Sequence, residues 1–171
     1  GYYKQEGILK NSAMERYNGR LNLGYTKDKL SVNTSLFASF IKDKNQSVQG
    51  GTRNSLIASA ITFAPYYSPS DDYISDQGSD FNVYPLSLLN IKDQTKSNKL
   101  NSSIDISYEL MEGLKPQIRL GYETQNSTNN FFLPNSVPDN GSSSVGVHGG
   151  KASNTNANNN NLLFEGLLNY N

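Results

Sequence analysis

The chain has no cysteine, no tryptophan, one histidine and no net charge. Without cysteine, neither a disulfide framework nor a thiolate metal site can form. The 15 basic residues balance the 15 acidic ones, and no basic cluster argues for a nucleic-acid partner. No apolar run approaches the roughly 18 residues of a membrane-spanning helix. The lone His148 sits in a Gly-rich stretch with no Gly-x-Ser-x-Gly elbow and no metal-ligand spacing, so it reads as an ordinary loop residue. Asp71, Asp72, Asp76 and Asp80 lack the Asp-x-Asp-x-Asp-Gly order of a calcium loop and read as solvated acids. The expectation is therefore a protein that is not an enzyme and holds no cofactor or metal. No signal peptide is evident. The chain opens on Gly1-Tyr2-Tyr3 and stops at Asn171 inside an alternating run, as a piece of a longer protein would.

Alternation is what the chain does have. Tyr17, Gly19, Leu21, Leu23 and Tyr25 share one face, against Arg16, Asn18, Arg20, Asn22 and Thr26. Leu30, Val32, Leu36, Ala38 and Phe40 follow, against Ser31, Asn33, Ser35 and Ser39, with Phe37 and Ile41 breaking the polar face. A third run sets Leu100, Ile104, Ile106, Tyr108 and Leu110 against Lys99, Asn101, Ser103, Asp105, Ser107 and Glu109. A fourth sets Leu114, Ile118, Leu120 and Tyr122 against Lys115, Gln117, Arg119 and Glu123. A period of two makes a two-faced sheet. Such a sheet packs one face on a soluble core or turns it to lipid. Tyrosine placement favours lipid: Tyr17 and Tyr25 lie near the two ends of one run, about 20 Å apart along the membrane normal at a tilt of roughly 40°. Tyr108 and Tyr122 repeat the arrangement, as two aromatic girdles would.

Connection lengths add an asymmetry. Thr26–Lys29 and Met111–Gly113 read as tight hairpins, with Gly113 supplying a positive φ. Two long loops are expected at about 43–98 and 124–161, where function would concentrate. In the first, Gly50-Gly51 opens a flexible segment, and Asn54 or Ser55 caps a short helix through Leu56, Ile57, Ala60 and Ile61 that ends before Pro65. Tyr66, Tyr67, Tyr73 and Tyr84, beside Asn82, offer flat stacking surfaces and hydrogen-bonding groups for a ligand. The same residues would equally serve to pack the loop on a barrel mouth. The second loop carries Phe131-Phe132, a Gly-rich piece from Gly141 to Gly150 and an Asn-rich tail from Asn154 to Asn161, all read as irregular backbone.

Several ordered segments resemble the SusC/RagA-like TonB-dependent transporters. Gln5-Glu6-Gly7-Ile8 is similar to the family's strand-to-loop exit, and Arg16 to Leu23 to its next strand. Leu56 to Pro65 resembles its short loop helix, and Glu109 to Leu114 its tight turn. Tyr84 to Asn90 resembles an Asn-Pro-led segment with Tyr84 in place of Asn, and Glu165 to Asn171 a Glu-Asn-x-Leu-x-Tyr-Asn strand with Gly166 in place of Asn. The resemblance implies an all-β fold: an antiparallel transmembrane segment, about five or six strands of a 22-stranded barrel, with no plug domain in this chain. It implies an outer-membrane importer of oligosaccharides or peptides. Its partners would be a SusD-like surface lipoprotein, outer-membrane lipid and, through parts outside this chain, the TonB complex. A soluble β-rich cell-surface or adhesin fragment without transport activity is the alternative.

Overall fold

A computed structural model describes residues 1–45, 56–62, 85–135, 137 and 150–170. Six antiparallel strands form one sheet in sequence order: β1 (Tyr2–Glu6), β2 (Ala13–Lys27), β3 (Leu30–Asn45), β4 (Lys92–Tyr108), β5 (Leu114–Leu133) and β6 (Lys151–Tyr170). A short helix, α1 (Leu56–Thr62), and a 3₁₀ turn at Ser87–Asn90 belong to the connection between β3 and β4. The helix falls where its apolar spacing predicts it; its expected caps, Asn54 and Ser55, lie outside the described residues.

Register converts the alternating runs into two continuous faces. Leu23 lies opposite Thr34, Thr34 opposite Ile104, Ile104 opposite Leu120 and Leu120 opposite Phe164, a row across five strands. One residue along, Gly24, Asn33, Asp105, Arg119 and Glu165 make the corresponding row on the other face. A slip of one residue on any strand would exchange its faces, so these patterns fix the register.

The apolar stretch does not run straight across the sheet. On β2 it extends from Tyr17 to Tyr25; on β6 it extends from Leu162 to Tyr170, and Leu162 pairs back through Tyr122, Ser102 and Leu36 to Leu21. The band has thus slid about four residues over four strand steps. At about 3.3 Å per residue and 4.8 Å per strand, that slope corresponds to strands tilted by roughly 35°, within the range of barrel walls. A level apolar slab cut through tilted strands has this diagonal edge.

The two rims differ. Lys27 pairs directly with Leu30, leaving Asp28 and Lys29 as the turn, with Asp28 at φ 52°. Leu114 N–H donates to the Met111 carbonyl at 3.0 Å, and Gly113 takes φ 83° in the slot where a side chain would be strained. Both expected hairpins are present. The opposite rim carries the turn around Gly7–Ser12 and both long connections.

Those connections are shorter than 43–98 and 124–161, because the strands continue beyond the apolar band. β3 reaches Asn45, β4 starts at Lys92, β5 reaches Leu133, and β6 starts at Lys151. The Asn-rich tail from Asn154 to Asn161 is strand rather than irregular backbone. It is held by its ladder to β5 and by side-chain bonds: Thr128 Oγ1 donates to Asn156 Oδ1 at 2.8 Å, and Asn154 Nδ2 to Asn130 Oδ1 at 2.6 Å. Above the band the extensions are mainly polar on both faces, so no apolar alternation marks them before Phe131 and Leu133 at the rim.

The buried core is small and sits at this rim. Leu56, Leu88, Ile91, Phe131, Leu133 and Val137 pack together, with Leu9 and Leu89 against them. The apolar band itself is uncovered: Leu162, Phe164 and Tyr170 are 83%, 70% and 77% exposed, and Tyr17, Leu21, Tyr25 and Ile118 are exposed with them. A contiguous apolar surface of this extent on a sheet marks contact with another apolar phase.

Candidate functional site

The polar face is organised by cross-strand pairs. Arg119 Nε donates to Asp105 Oδ1 at 2.6 Å, while Arg119 Nη1 donates to Glu165 Oε2 at 3.2 Å, joining β4, β5 and β6. Gln117 Nε2 adds a longer contact to Asp105 at 3.4 Å. Higher up, Glu123 accepts from Asn101 Nδ2 at 3.0 Å and pairs with Lys99 at 3.1 Å. Near the rim Asn129 Nδ2 bridges Asp93 Oδ1 at 2.6 Å and Thr95 Oγ1 at 3.0 Å. Ser35 and Ser103 share a 2.7 Å bond, and Ser97 donates to Ser127 at 3.2 Å. Every strand boundary from β3 to β6 is therefore stitched on the polar side. Charges on a wet wall are stable when they are paired or hydrated.

Phe37, which interrupts the polar pattern, lies under the Arg20 guanidinium at 5.4 Å from the ring centroid. An aromatic among polar neighbours thus gains a cation–π partner. Beside it, Asn22, Asn33, Ser35, Ser103 and Asp105 line a shallow depression of about 260 Å³. The arrangement offers hydrogen-bond donors, acceptors and paired charges to a polar solute, with no nucleophile–base pair among the described residues.

The aromatic girdles take shape on the other face. Tyr2, Tyr17 and Phe40 adjoin across three strands, with ring centroids 4.8 Å and 6.3 Å apart. Together with Tyr122 they edge the band toward the long-loop rim. Tyr25, Tyr108 and Tyr170 edge it toward the short-turn rim. Amphipathic rings at both edges of an apolar slab are the mark of a membrane wall.

The proposed ligand residues Tyr66, Tyr67, Tyr73, Tyr84 and Asn82 lie outside the described residues, as do His148 and the four acids from Asp71 to Asp80. The described elements on either side of residues 63–84 are α1 and the 3₁₀ turn, and both enter the rim knot through Leu56 and Leu88. Sequence reading placed Asp105, Arg119 and Glu165 on strands without pairing them. Part of the signal was available: Asp105 and Arg119 are equidistant from the turn centred on Glu112, so hairpin counting brings them together. Glu165 lies across a long connection, where no such counting applies.

No family model matches the sequence. TonB-dependent receptor P3 from Formosa agariphila is 29% identical over 99% of this chain, which spans 17% of that receptor's length. The solved RagAB peptide transporter shares the fold with a TM-score of 0.57, at 20% identity, over 78% of this chain and 16% of the matched one. Both are much longer than this chain, and both are a receptor or transporter rather than an enzyme. With a relative aligned over 99% of the chain and the fold shared with part of a solved transporter, the resemblance carried by Arg16–Leu23 and Glu165–Asn171 is supported: the chain is similar to part of a TonB-dependent receptor and has the fold of an outer-membrane β-barrel segment.

Proposed function

We propose that these strands form wall and outer rim of an active importer of oligosaccharides or peptides, with the short turns facing the periplasm and the long connections facing outward. The observation that carries this reading is the two-faced sheet: an uncovered, girdled apolar band on one side and a stitched polar face on the other. A wall between lipid and a water-filled lumen needs both, and the tyrosines at both edges of the band favour lipid over a soluble core. The RagAB likeness supports the substrate class and a SusD-like lipoprotein seated over the outward rim; energy coupling to TonB would pass through parts of the protein outside this chain.

The aromatic residues Tyr66, Tyr67, Tyr73 and Tyr84, with Asn82, are assigned to the ligand- or lid-facing mouth. Tyrosine rings stack on sugars or peptide side chains while their hydroxyls hydrogen-bond. Deleting residues 68–81 from the complete transporter, then measuring uptake beside barrel assembly, tests the assignment. Normal assembly with lost uptake is expected. Unchanged uptake would remove this loop from the mechanism.

A further inference from the structure

Above the apolar band, the outward face of β3 and β4 carries a cluster of lysines. Lys42 and Lys96 are directly opposite each other in the register, and Lys44 and Lys92 lie farther up the same face. Directly opposed like charges weaken a sheet. None of the four has an ion pair or hydrogen bond among the described residues. On the outward face of β3, β4, β5 and β6 there is no carboxylate; the remaining positions above the band are mainly Asn, Thr and Gln. The nearest outward acids, Glu15 opposite Lys42 and Glu6 on β1, belong to the neighbouring strands, and Glu6 pairs with Lys4 at 3.4 Å.

The height of the cluster is informative. Lys42 is two residues beyond Phe40, the upper edge of the band on β3, and Lys44 is two more. At about 3.3 Å per residue along a strand tilted by roughly 35–40°, Lys42 stands about 5 Å above the apolar slab and Lys44 about 10 Å above it. That is the headgroup layer. Lys96, four residues beyond Leu100, stands about 10 Å above the slab, whereas Lys92, eight beyond it, stands about 20 Å up, where with Lys44, Gln94, Asn130, Asn154 and Phe132 it lines an open cavity of about 890 Å³. Unpaired ammonium groups at headgroup height, with side-chain amides and an aromatic wall above them, suit a phosphate attached to sugar.

We propose that this face binds the phosphorylated sugar headgroup of an outer-leaflet glycolipid, with Lys42, Lys44 and Lys96 as its anion contacts. A bound phosphate relieves the Lys42–Lys96 repulsion and fixes the wall to its lipid at the outward edge. The inference rests on the apolar band being in the bilayer, which places the lysines at headgroup height.

The test uses the complete transporter in two kinds of phosphatidylcholine nanodisc. One contains a glycolipid with two phosphates on a diglucosamine head; the other contains the same lipid after dephosphorylation. Native mass spectrometry reads the lipid retained. The wild type should keep the phosphorylated form at least about tenfold better, and a variant with Lys42, Lys44 and Lys96 all changed to Gln should lose that preference. Lys115→Gln, on the lumen face near the other rim, should leave it intact. Pairwise variants Lys42→Gln/Lys96→Gln and Lys42→Gln/Lys44→Gln give graded losses and serve if the threefold variant fails to assemble. Equal retention of both lipids by the wild type, or an undiminished preference in the variants, would overturn the proposal. Failure of the wild type to enter the nanodisc at all would instead refute the membrane reading beneath it.

Discussion

Ile104 lies at the middle of the apolar stretch on β4, four residues from Leu100 and four from Tyr108. That stretch spans about 20 Å of the membrane normal at the tilt derived above. Ile104 is thus near the midplane, Ile106 about 5 Å from it, and Tyr108 at the girdle. Arginine on the lipid face of an outer-membrane barrel costs about 2–4 kcal/mol at the midplane and about 0–1 near the interfaces. Ile104→Arg is therefore expected to cost about 2–4 kcal/mol, Ile106→Arg less and Tyr108→Arg less again, with Leu21→Arg matching Ile104→Arg. Ser107→Arg, on the lumen face between Ser31 and Gln117, should change stability by less than about 0.5 kcal/mol. Denaturant titration of the complete protein folded into lipid vesicles measures all five. A loss at Ser107 equal to that at Ile104, or losses on the apolar face that do not fall with distance from the middle, would refute the lipid assignment and favour a sheet with a soluble core.

Further outcomes are expected. The coupling between Arg119 and Asp105, measured by a double-mutant cycle to Ala, should be small and shrink further in high salt, because the Arg119 side chain remains 41% exposed. Leu88→Ala should remove about 2 kcal/mol of local stability by opening a cavity in the rim knot, seen as faster proteolysis of the rim segments with the wall intact. Gly113→Val should cost about 1–2 kcal/mol through its φ of 83° and slow assembly, whereas Asp28→Gly should be neutral within about 0.5 kcal/mol; protease added outside intact cells should spare Lys27 and Lys29.

The sequence made the wall legible wherever its two faces meet different media. Tyr17 to Tyr25, Leu30 to Phe40, Leu100 to Tyr108 and Leu114 to Tyr122 alternate because lipid and water demand opposite side chains, and all became strands. The same physics hides Lys92–Asn98, Thr124–Leu133 and Lys151–Asn161. There, below the knot formed by Phe131 and Leu133, the residues are mainly polar on both faces, and Asn-rich composition reads as a loop although the ladder continues. The 3₁₀ turn at Ser87–Asn90 had no periodic signal either; it is fixed by burying Leu88 in a knot assembled from distant segments. The candidate site divides in the same way. Its lumen-face residues follow from alternation, while the pairing of Arg119 with Glu165 needs a register set across a long connection.

The rim knot joins parts of the chain that the wall alone would leave independent. Leu56, Leu88 and Ile91 come from the connection between β3 and β4, Val137 from the one between β5 and β6, and Phe131 and Leu133 from the top of β5. Each side chain of this size contributes about 1.5–3 kcal/mol when fully buried, so six of them form a local unit with appreciable stability in an otherwise polar rim. Phe131 and Leu133 have lumen-face parity, which places the knot on the inner side of the wall. The two outward connections thus share one anchor on the lumen side of the wall. A displacement of one connection must be accommodated by the packing that holds the other, because a close-packed cluster shifts as a unit more readily than it deforms continuously. A polar solute or a protein lid arriving at this mouth would meet both connections as one coupled surface, backed by a wall whose own register is locked by lipid on one side and charge pairs on the other.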